Sequence, residues 1–278
     1  MALTSPRFQS SDTLRRVEAG SAALNVGSSG RAVHLVQFAL IDLGFSMPRS
    51  TGNAASSPDG VYGEETKAVV RRFQEGVPGL TADGVVGQQT IRALDQRIGG
   101  YRNRVRLHFR SIALTNVPFE RSLANAEAVY AQYGIRIEFG SGESISLTPQ
   151  QRTIFDRIDQ ECNRELNAGE LHMLQGLGSP APSSDILVFH VSSFADANVL
   201  GCGGHATNRP ACTITAGALA WDTAHEVCHV LLGSSFNPVH IQNRKNLMHP
   251  ISRSEASIPV LTVGQVNRIR SSPCCHAA

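Results

Sequence analysis

The five residues His225-Glu226-Val227-Cys228-His229 carry the strongest chemical signal in the chain. On a helix, residues four apart lie nearly above one another, so His225 and His229 can reach one metal ion from a single face. Glu226, one step round, can then touch a water on that ion without binding it. The opposite stripe of Ala224, Val227, Cys228 and Leu231 is apolar and should face a core. Zinc suits such a pair, because imidazole nitrogens are among its ordinary ligands and three protein ligands leave a fourth position for water. A short HExxH string also arises by chance or as a structural His pair, so the residues that follow decide its weight.

Gly233 is placed to end the helix in a left-handed conformation, and His240 arrives after ten intervening residues as a candidate third ligand. Asn246-Leu247-Met248-His249-Pro250 comes directly after. Two rivals stand beside His240: Glu255, twenty-six positions after His229, and His249. Met248 has a plainer alternative as a filler of the core.

This arrangement resembles the metzincin superfamily of zinc endopeptidases, in which a glycine turn leads to a third His and a Met-containing turn forms the floor beneath the metal. The resemblance spans roughly residues 104–272 and includes Leu261-Thr262-Val263-Gly264-Gln265-Val266, similar to the start of the family's last helix. It departs from HExxHxxGxxH in two ways: Leu232 stands where the glycine is expected, with Gly233 one later, and the gap to the third His is longer. The resemblance implies an α/β catalytic domain with a mixed twisted sheet. It also implies one catalytic Zn2+ on His225, His229 and His240, with Met248 in the Met turn and Glu226 as general base for peptide hydrolysis. The Met turn suits a nearby His, which favours His240 over Glu255 and His249. No Tyr follows Met248 directly, so no role from that position is carried over.

The elements that must position these residues follow a simple order. Val105, Leu107 and Phe109 alternate with Arg104, Arg106, His108 and Arg110, as a half-buried strand does. A helix is expected from about Phe119, with Leu123, Ala126 and Tyr130 on one stripe and Gly134 to end it. Ile135, Ile137 and Phe139 alternate again. Residues 140–184 read as an insertion, with a helix starting at Thr148-Pro149 and carrying Ile154, Ile158 and Cys162. Ile186-Leu187-Val188-Phe189 is apolar on both faces and suits a central strand. Cys212-Thr213-Ile214-Thr215 is expected as a short edge strand that could align an extended peptide.

Before this domain the chain repeats itself. Asp59-Gly60-Val61-Tyr62-Gly63-Glu64-Glu65-Thr66 returns as Asp83-Gly84-Val85-Val86-Gly87-Gln88-Gln89-Thr90, twenty-four residues later, which implies one structural unit used twice. Each Asp-Gly makes a tight turn and precedes a helix, carrying Val69, Val70 and Phe73 in the first copy and Ile91, Leu94 and Ile98 in the second. Ahead of both, Val26 to Gly30 leads into a helix with Val33, Val36, Leu40 and Leu43, stopped by Gly44. The segment resembles the small three-helix peptidoglycan-binding domain in GSSGRAVHLVQFAL, in both DGVxGxxT turns and in RRFQ at 71–74. Peptidoglycan is the partner this implies, with its binding residues unassigned. The same fold is similar to the propeptide of matrix metallopeptidases, but residues 1–161 hold no Cys for a cysteine switch.

The chain is thus expected to be a two-domain α+β protein: an N-terminal extension at 1–23, a small all-α three-helix domain at 24–98, a linker at 99–103 and the catalytic domain at 104–278. Its 25 basic and 23 acidic residues are well mixed, so nucleic acid is not an expected partner. No apolar run suits a membrane span, and the first twenty residues lack the apolar core of a Sec signal. Peptidoglycan lies outside the cytoplasm, so an extracytoplasmic location by another route is expected, delivery as a toxin-like effector among them. Cys202 and Cys212 flank a loop and could close it as a disulfide; Cys162, Cys274 and Cys275 have no assigned pairing, and Cys228 sits on the core stripe. His190 and His205 are isolated, with a second metal as the alternative. The expected activity is cleavage of proteins or peptides, with hydrolysis of the wall's own cross-links, or binding without catalysis, as the alternatives.

Overall fold

The computed structural model describes residues 2–52, 58–114, 117–155, 176–203, 209–251 and 257–278. They form two units, one of residues 1–102 with 131–134 and 262–266, the other of 103–130 with 135–261 and 267–278.

The first unit is helical: α1 (Pro6–Gln9), α2 (Asp12–Glu18), α3 (Arg31–Asp42), α4 (Pro48–Thr51), α5 (Glu64–Glu75) and α6 (Gln88–Ile98). The three long helices are those the periodicity predicts, and their Val33, Val36, Leu40, Val69, Val70, Phe73, Ile91, Leu94 and Ile98 meet in one core. Residues 1–23, expected as an extension, add Leu3, Phe8, Leu14 and Val17 to the same core. A chain this short buries them because a small helical unit has little other apolar surface to close its ends.

Each Asp-Gly turn is clasped by a buried glutamine from the long helix that precedes it, α3 for the first turn and α5 for the second. The Gln37 amide donates to Asp59 Oδ1 at 2.8 Å, to the Val61 carbonyl at 3.1 Å and to Thr66 Oγ1 at 3.1 Å, while its Oε1 accepts from the Gly60 N–H at 2.9 Å. Gln74 repeats this with Asp83 (2.9 Å), Val85 (3.0 Å), Thr90 (3.0 Å) and the Gly84 N–H (2.8 Å). Gly84 sits at φ 72°, and a Cβ there would lie 3.0 Å from the Lys67 carbonyl oxygen, so both conformation and space call for glycine.

The second unit is a mixed six-stranded sheet with helices. Its strands are β1 (Asn103–Ser111), β2 (Ile135–Ser144), β3 (Ile186–Val191), β4 (Gly201–Cys202), β5 (Ala211–Thr215) and β6 (His276–Ala277). The order is β2-β1-β3-β5-β4, with β6 also on β1. The β1, β2, β3 and β5 pairings are parallel; β4 and β6 are antiparallel to their neighbours. Helices α7 (Phe119–Tyr130) and α9 (Asp222–Leu232) pack on β2 and β5, α8 (Pro149–Phe155) opens the stretch after β2, and α10 (Val263–Arg270) comes near the C-terminus. The continuation of α8 through Ile158 and Cys162 lies outside the described residues.

Alternation sorts the sheet into two faces. Val105, Leu107 and Phe109 share one face with their register partners Ile186 and Val188, and Val188 is in turn in register with Cys212. Phe189, Val191, Phe194, Cys202 and Ala211 form a separate core on the other face. The apolar run of β3 therefore feeds both cores, as a central strand must. Strand β5 is not the edge: all five of its residues are buried between β3 and β4, and the edge is the two-residue antiparallel β4. Its composition reads the same either way, and only the return of the chain at Gly201 covers it.

Candidate metal centre

Helix α9 is held from three sides. Its Ala224, Val227, Cys228 and Leu231 are buried, the Tyr130 hydroxyl of α7 donates to the Ala224 carbonyl at 2.9 Å, and Asn125 donates to the Ala220 carbonyl at 2.8 Å. Gly233 ends the helix at φ 72°. Arg268 Nε donates to the Leu232 carbonyl at 2.8 Å, so a cation meets the free carbonyls and negative dipole of the helix end.

On the other side of the helix, His225, His229 and His240 bring one ligand atom each within 4.8 Å of one another. The Nε2 atoms of His225 and His229 are 3.1 Å apart, as are those of His229 and His240. Three nitrogens each about 2.0–2.1 Å from a tetrahedral ion stand about 3.3 Å apart, so this donor set fits one zinc ion. His225 Nδ1 donates to the Leu247 carbonyl at 2.7 Å, which places the proton on Nδ1 and leaves Nε2 with a lone pair for a metal. Burial lowers the pKa of His225 to about 4 and depresses those of His229 and His240, keeping the rings neutral.

Glu226 is 7% exposed. Burial, reinforced by the Asp222 charge, pushes its carboxyl well above the usual carboxylate range, and a hydrogen bond from the Gly203 N–H pulls the other way. The edge segment lies directly on the helix here. A Cβ on Gly201 would sit 2.6 Å from Glu226 Cγ, and one on Gly203 would sit 2.2 Å from His229 Cβ. Only glycine allows that approach.

Met248 is fully buried, and its carbonyl accepts from the Ile241 N–H at 2.8 Å, tying the turn to the residue after His240. Asn246 Oδ1 accepts from the Met248 N–H at 2.9 Å, and the Leu247 N–H donates to the Val260 carbonyl at 2.8 Å. This bracing aims the Leu247 carbonyl at His225.

Of the rival ligands, His249 stands outside the cluster, its Nδ1 accepting from the Ile251 N–H at 3.2 Å, and Glu255 lies outside the described residues. His190 is buried against Phe109 with ring centroids 5.8 Å apart and belongs to no metal-holding group among the described residues; His205 lies outside them. The expected Cys202–Cys212 disulfide does not form. Cys202 is disulfide-bonded while Cys212 is a free, buried thiol. Register is the reason: Cys202 pairs with Thr213, so Cys212 points to the opposite sheet face. Cys228 is a buried free thiol whose pKa burial raises, as a packing residue's should be. Cys274 and Cys275 are also free and buried.

The sequence does not announce the Leu247 carbonyl, Gly201, Gly203 or Arg268. A backbone carbonyl has no side-chain signature, and the run Gly201-Cys202-Gly203-Gly204 is the one sequence signal that could point to a close backbone approach.

Residues 29–94 match the family described as "Putative peptidoglycan binding domain". No curated protein matches the chain. Among solved structures, archaemetzincin from Methanopyrus kandleri is similar at 12% identity, over 61% of this chain and 88% of that one, with a TM-score of 0.34. The chain therefore joins a helical region of peptidoglycan-binding type to an α/β unit with a mixed sheet.

Proposed function

We propose that the chain is a zinc-dependent endopeptidase that hydrolyses peptide bonds of proteins and is held on the bacterial cell wall by its peptidoglycan-binding domain. The convergence of three neutral imidazoles beside a buried glutamate carries this reading. In it His225, His229 and His240 are the metal ligands, Glu226 is the general base and Met248 is the floor. When bound, a zinc ion supplies Lewis acidity that draws the pKa of water from about 15.7 toward 7. Glu226 accepts the proton of the attacking water and returns it to the departing amine. Its burial favours the protonated form needed for the second transfer, and the Gly203 N–H favours the carboxylate needed for the first. His225 keeps its orientation through Nδ1 and Leu247. The match at residues 29–94 supports peptidoglycan as the tether, and a disulfide at Cys202 suits an oxidising compartment outside the cytoplasm.

Glu226→Gln is expected to keep zinc and lose about 10²–10⁴-fold in turnover. Unchanged turnover at full metal occupancy removes Glu226 from the reaction. Incubation of the zinc-loaded protein with casein and, separately, with purified peptidoglycan identifies the substrate. Casein fragments support protein cleavage. Soluble muropeptides with intact casein make the wall cross-link the substrate, and binding to sacculi with neither product makes the chain a binding protein.

A further inference from the structure

Strand β1 turns His108 and Arg110 to the sheet face opposite Leu107 and Phe109. On β2 the register shifts between the partners of Leu107 and His108, so Gly140 is bulged out and Ser141 stands opposite His108. A bulge re-aims the side chains of its strand and is over-represented beside active sites. Only glycine fits at the bulge, because a Cβ on Gly140 would lie 2.5 Å from the His108 ring. Three side chains then join in one hydrogen-bonded chain: Ser141 Oγ is 2.9 Å from His108 Nδ1, and His108 Nε2 is 3.0 Å from Asp185 Oδ2. Arg110 Nη1 donates to the same Ser141 Oγ at 3.0 Å. A guanidinium can only donate, so the hydroxyl proton is left to point at His108 Nδ1, and the ring proton sits on Nε2 toward Asp185. Arg110 is itself fixed, donating to the Phe109 and Ser179 carbonyls at 2.9 and 2.7 Å, and Arg106 Nη1 stands 3.8 Å from Asp185 Oδ2. His108, Arg110 and Asp185 are buried, whereas Ser141 is half-buried between the exposed Gly140 and Gly142.

We propose that Ser141 is a nucleophile, with His108 as its general base and Asp185 orienting the ring, and that this second site hydrolyses small carboxylic esters. A hydroxyl within hydrogen-bond reach of a base, the base in turn held by a third group, is the arrangement that activates such a nucleophile. The two ring nitrogens are exchanged relative to the usual serine triad, but the transfer needs only a lone pair facing the hydroxyl. Ser141 Oγ bonds to the ester carbonyl carbon as its proton passes to His108 Nδ1. The alcohol leaves with that proton and the acyl group stays on Oγ. Water then attacks the acyl carbon, giving a proton to His108; the carboxylic acid is released and Oγ takes the proton back. Arg110 Nη1 stabilises the negative charge that develops on Oγ. Strand β2 is an edge of the sheet, so backbone N–H groups on its outer side are outside the ladder and available to a developing oxyanion. The site uses none of the residues of the metal centre, so its test stands apart from that of the peptidase.

The test is peptide mapping by mass spectrometry of the full-length protein after reaction with a fluorophosphonate probe, together with turnover of p-nitrophenyl acetate. A single adduct on Ser141 is expected, and Ser141→Ala should carry no adduct and lose ester turnover. His108→Ala should label about 10²–10⁴-fold more slowly, with part of the rate restored by added imidazole, which a merely structural role would not allow. Asp185→Asn should lower kcat for the ester and leave KM unchanged. Absence of an adduct from Ser141 of the wild-type protein overturns the proposal, as does an adduct confined to another residue. Equal labelling of the wild type and a His108→Ala variant that is folded by circular dichroism also overturns it, because the serine then reacts without its base. Ester turnover that persists in Ser141→Ala assigns the hydrolysis elsewhere, the metal centre included, and overturns it too.

Discussion

The two Asp-Gly turns and the metal centre both gather buried polar side chains around a tight backbone feature, yet they spend them differently. In the turns, Gln37 and Gln74 each use an amide group on four partners, and the result is a closed clasp. At the candidate metal centre the Nε2 atoms of His225, His229 and His240 converge on one another, and among the described residues the cluster's hydrogen bond to the rest of the protein is the one at the rear of His225. A site whose polar atoms are all satisfied by protein builds a fold. A site whose polar atoms converge on one point is arranged for something other than protein.

Replacing one ligand should break this contrast most deeply. His229→Ala is expected to reduce zinc affinity by more than about 100-fold and abolish cleavage while both units stay folded, as read by metal content and circular dichroism. Full metal occupancy in that variant would return the three histidines to a structural role. Next comes Gly203→Ala, whose new methyl meets His229 Cβ at 2.2 Å. Overpacking of this kind costs about 1–3 kcal/mol, and turnover should fall with it because the Glu226 hydrogen bond is displaced; a variant with wild-type turnover would show that the edge segment does not hold the centre.

Gln74→Ala tests the closed clasp. It leaves the Gly84 N–H and the Asp83 and Thr90 oxygens without their shared partner, at about 1–3 kcal/mol. Binding to sacculi and the melting of the first unit should suffer, with cleavage of a short soluble peptide unchanged. Loss of both activities together would mean that the two units do not work independently.

Acid gives the gentlest contrast. In the metal-free protein, burial lowers the pKa of His34 in the first unit to about 4, that of His190 and His225 in the second to about 4, and depresses His229 and His240. Each lowered His contributes stability that is complete above pH about 6.5 and is lost as pH falls toward the folded value, because the unfolded chain takes up the proton first. Glu226, raised by burial, works in the opposite direction. Four lowered histidines less one raised glutamate leave three in the second unit, against one in the first. Between about pH 6.5 and 5, hydrogen exchange should show the second unit losing stability with a slope up to about threefold steeper. Equal slopes would mean the histidines are solvated.

Much of this was legible beforehand, for reasons tied to particular residues. The three long helices of the first unit and the strands around Val105 and Ile186 follow from apolar spacing. What spacing missed were contacts between distant segments. Phe139 continues the alternation of Ile135 and Ile137 yet is 48% exposed. Residues 1–23 look like an appendage until Phe8 and Leu14 are seen in the core. Cys202 and Cys212 are near in sequence and lie on opposite faces of one sheet.

By itself the sequence determined that His225 and His229 share a helix face, that Glu226 lies beside them and that one turn is used twice, because each depends on backbone periodicity over a few residues. The tertiary structure alone decided that His240 and not His249 joins the pair, that the Leu247 carbonyl orients His225, and that β4 rather than β5 is the edge over the helix. Those outcomes depend on where the chain returns after a loop. That path is set by the burial and hydrogen bonding of the whole unit, which no local pattern contains.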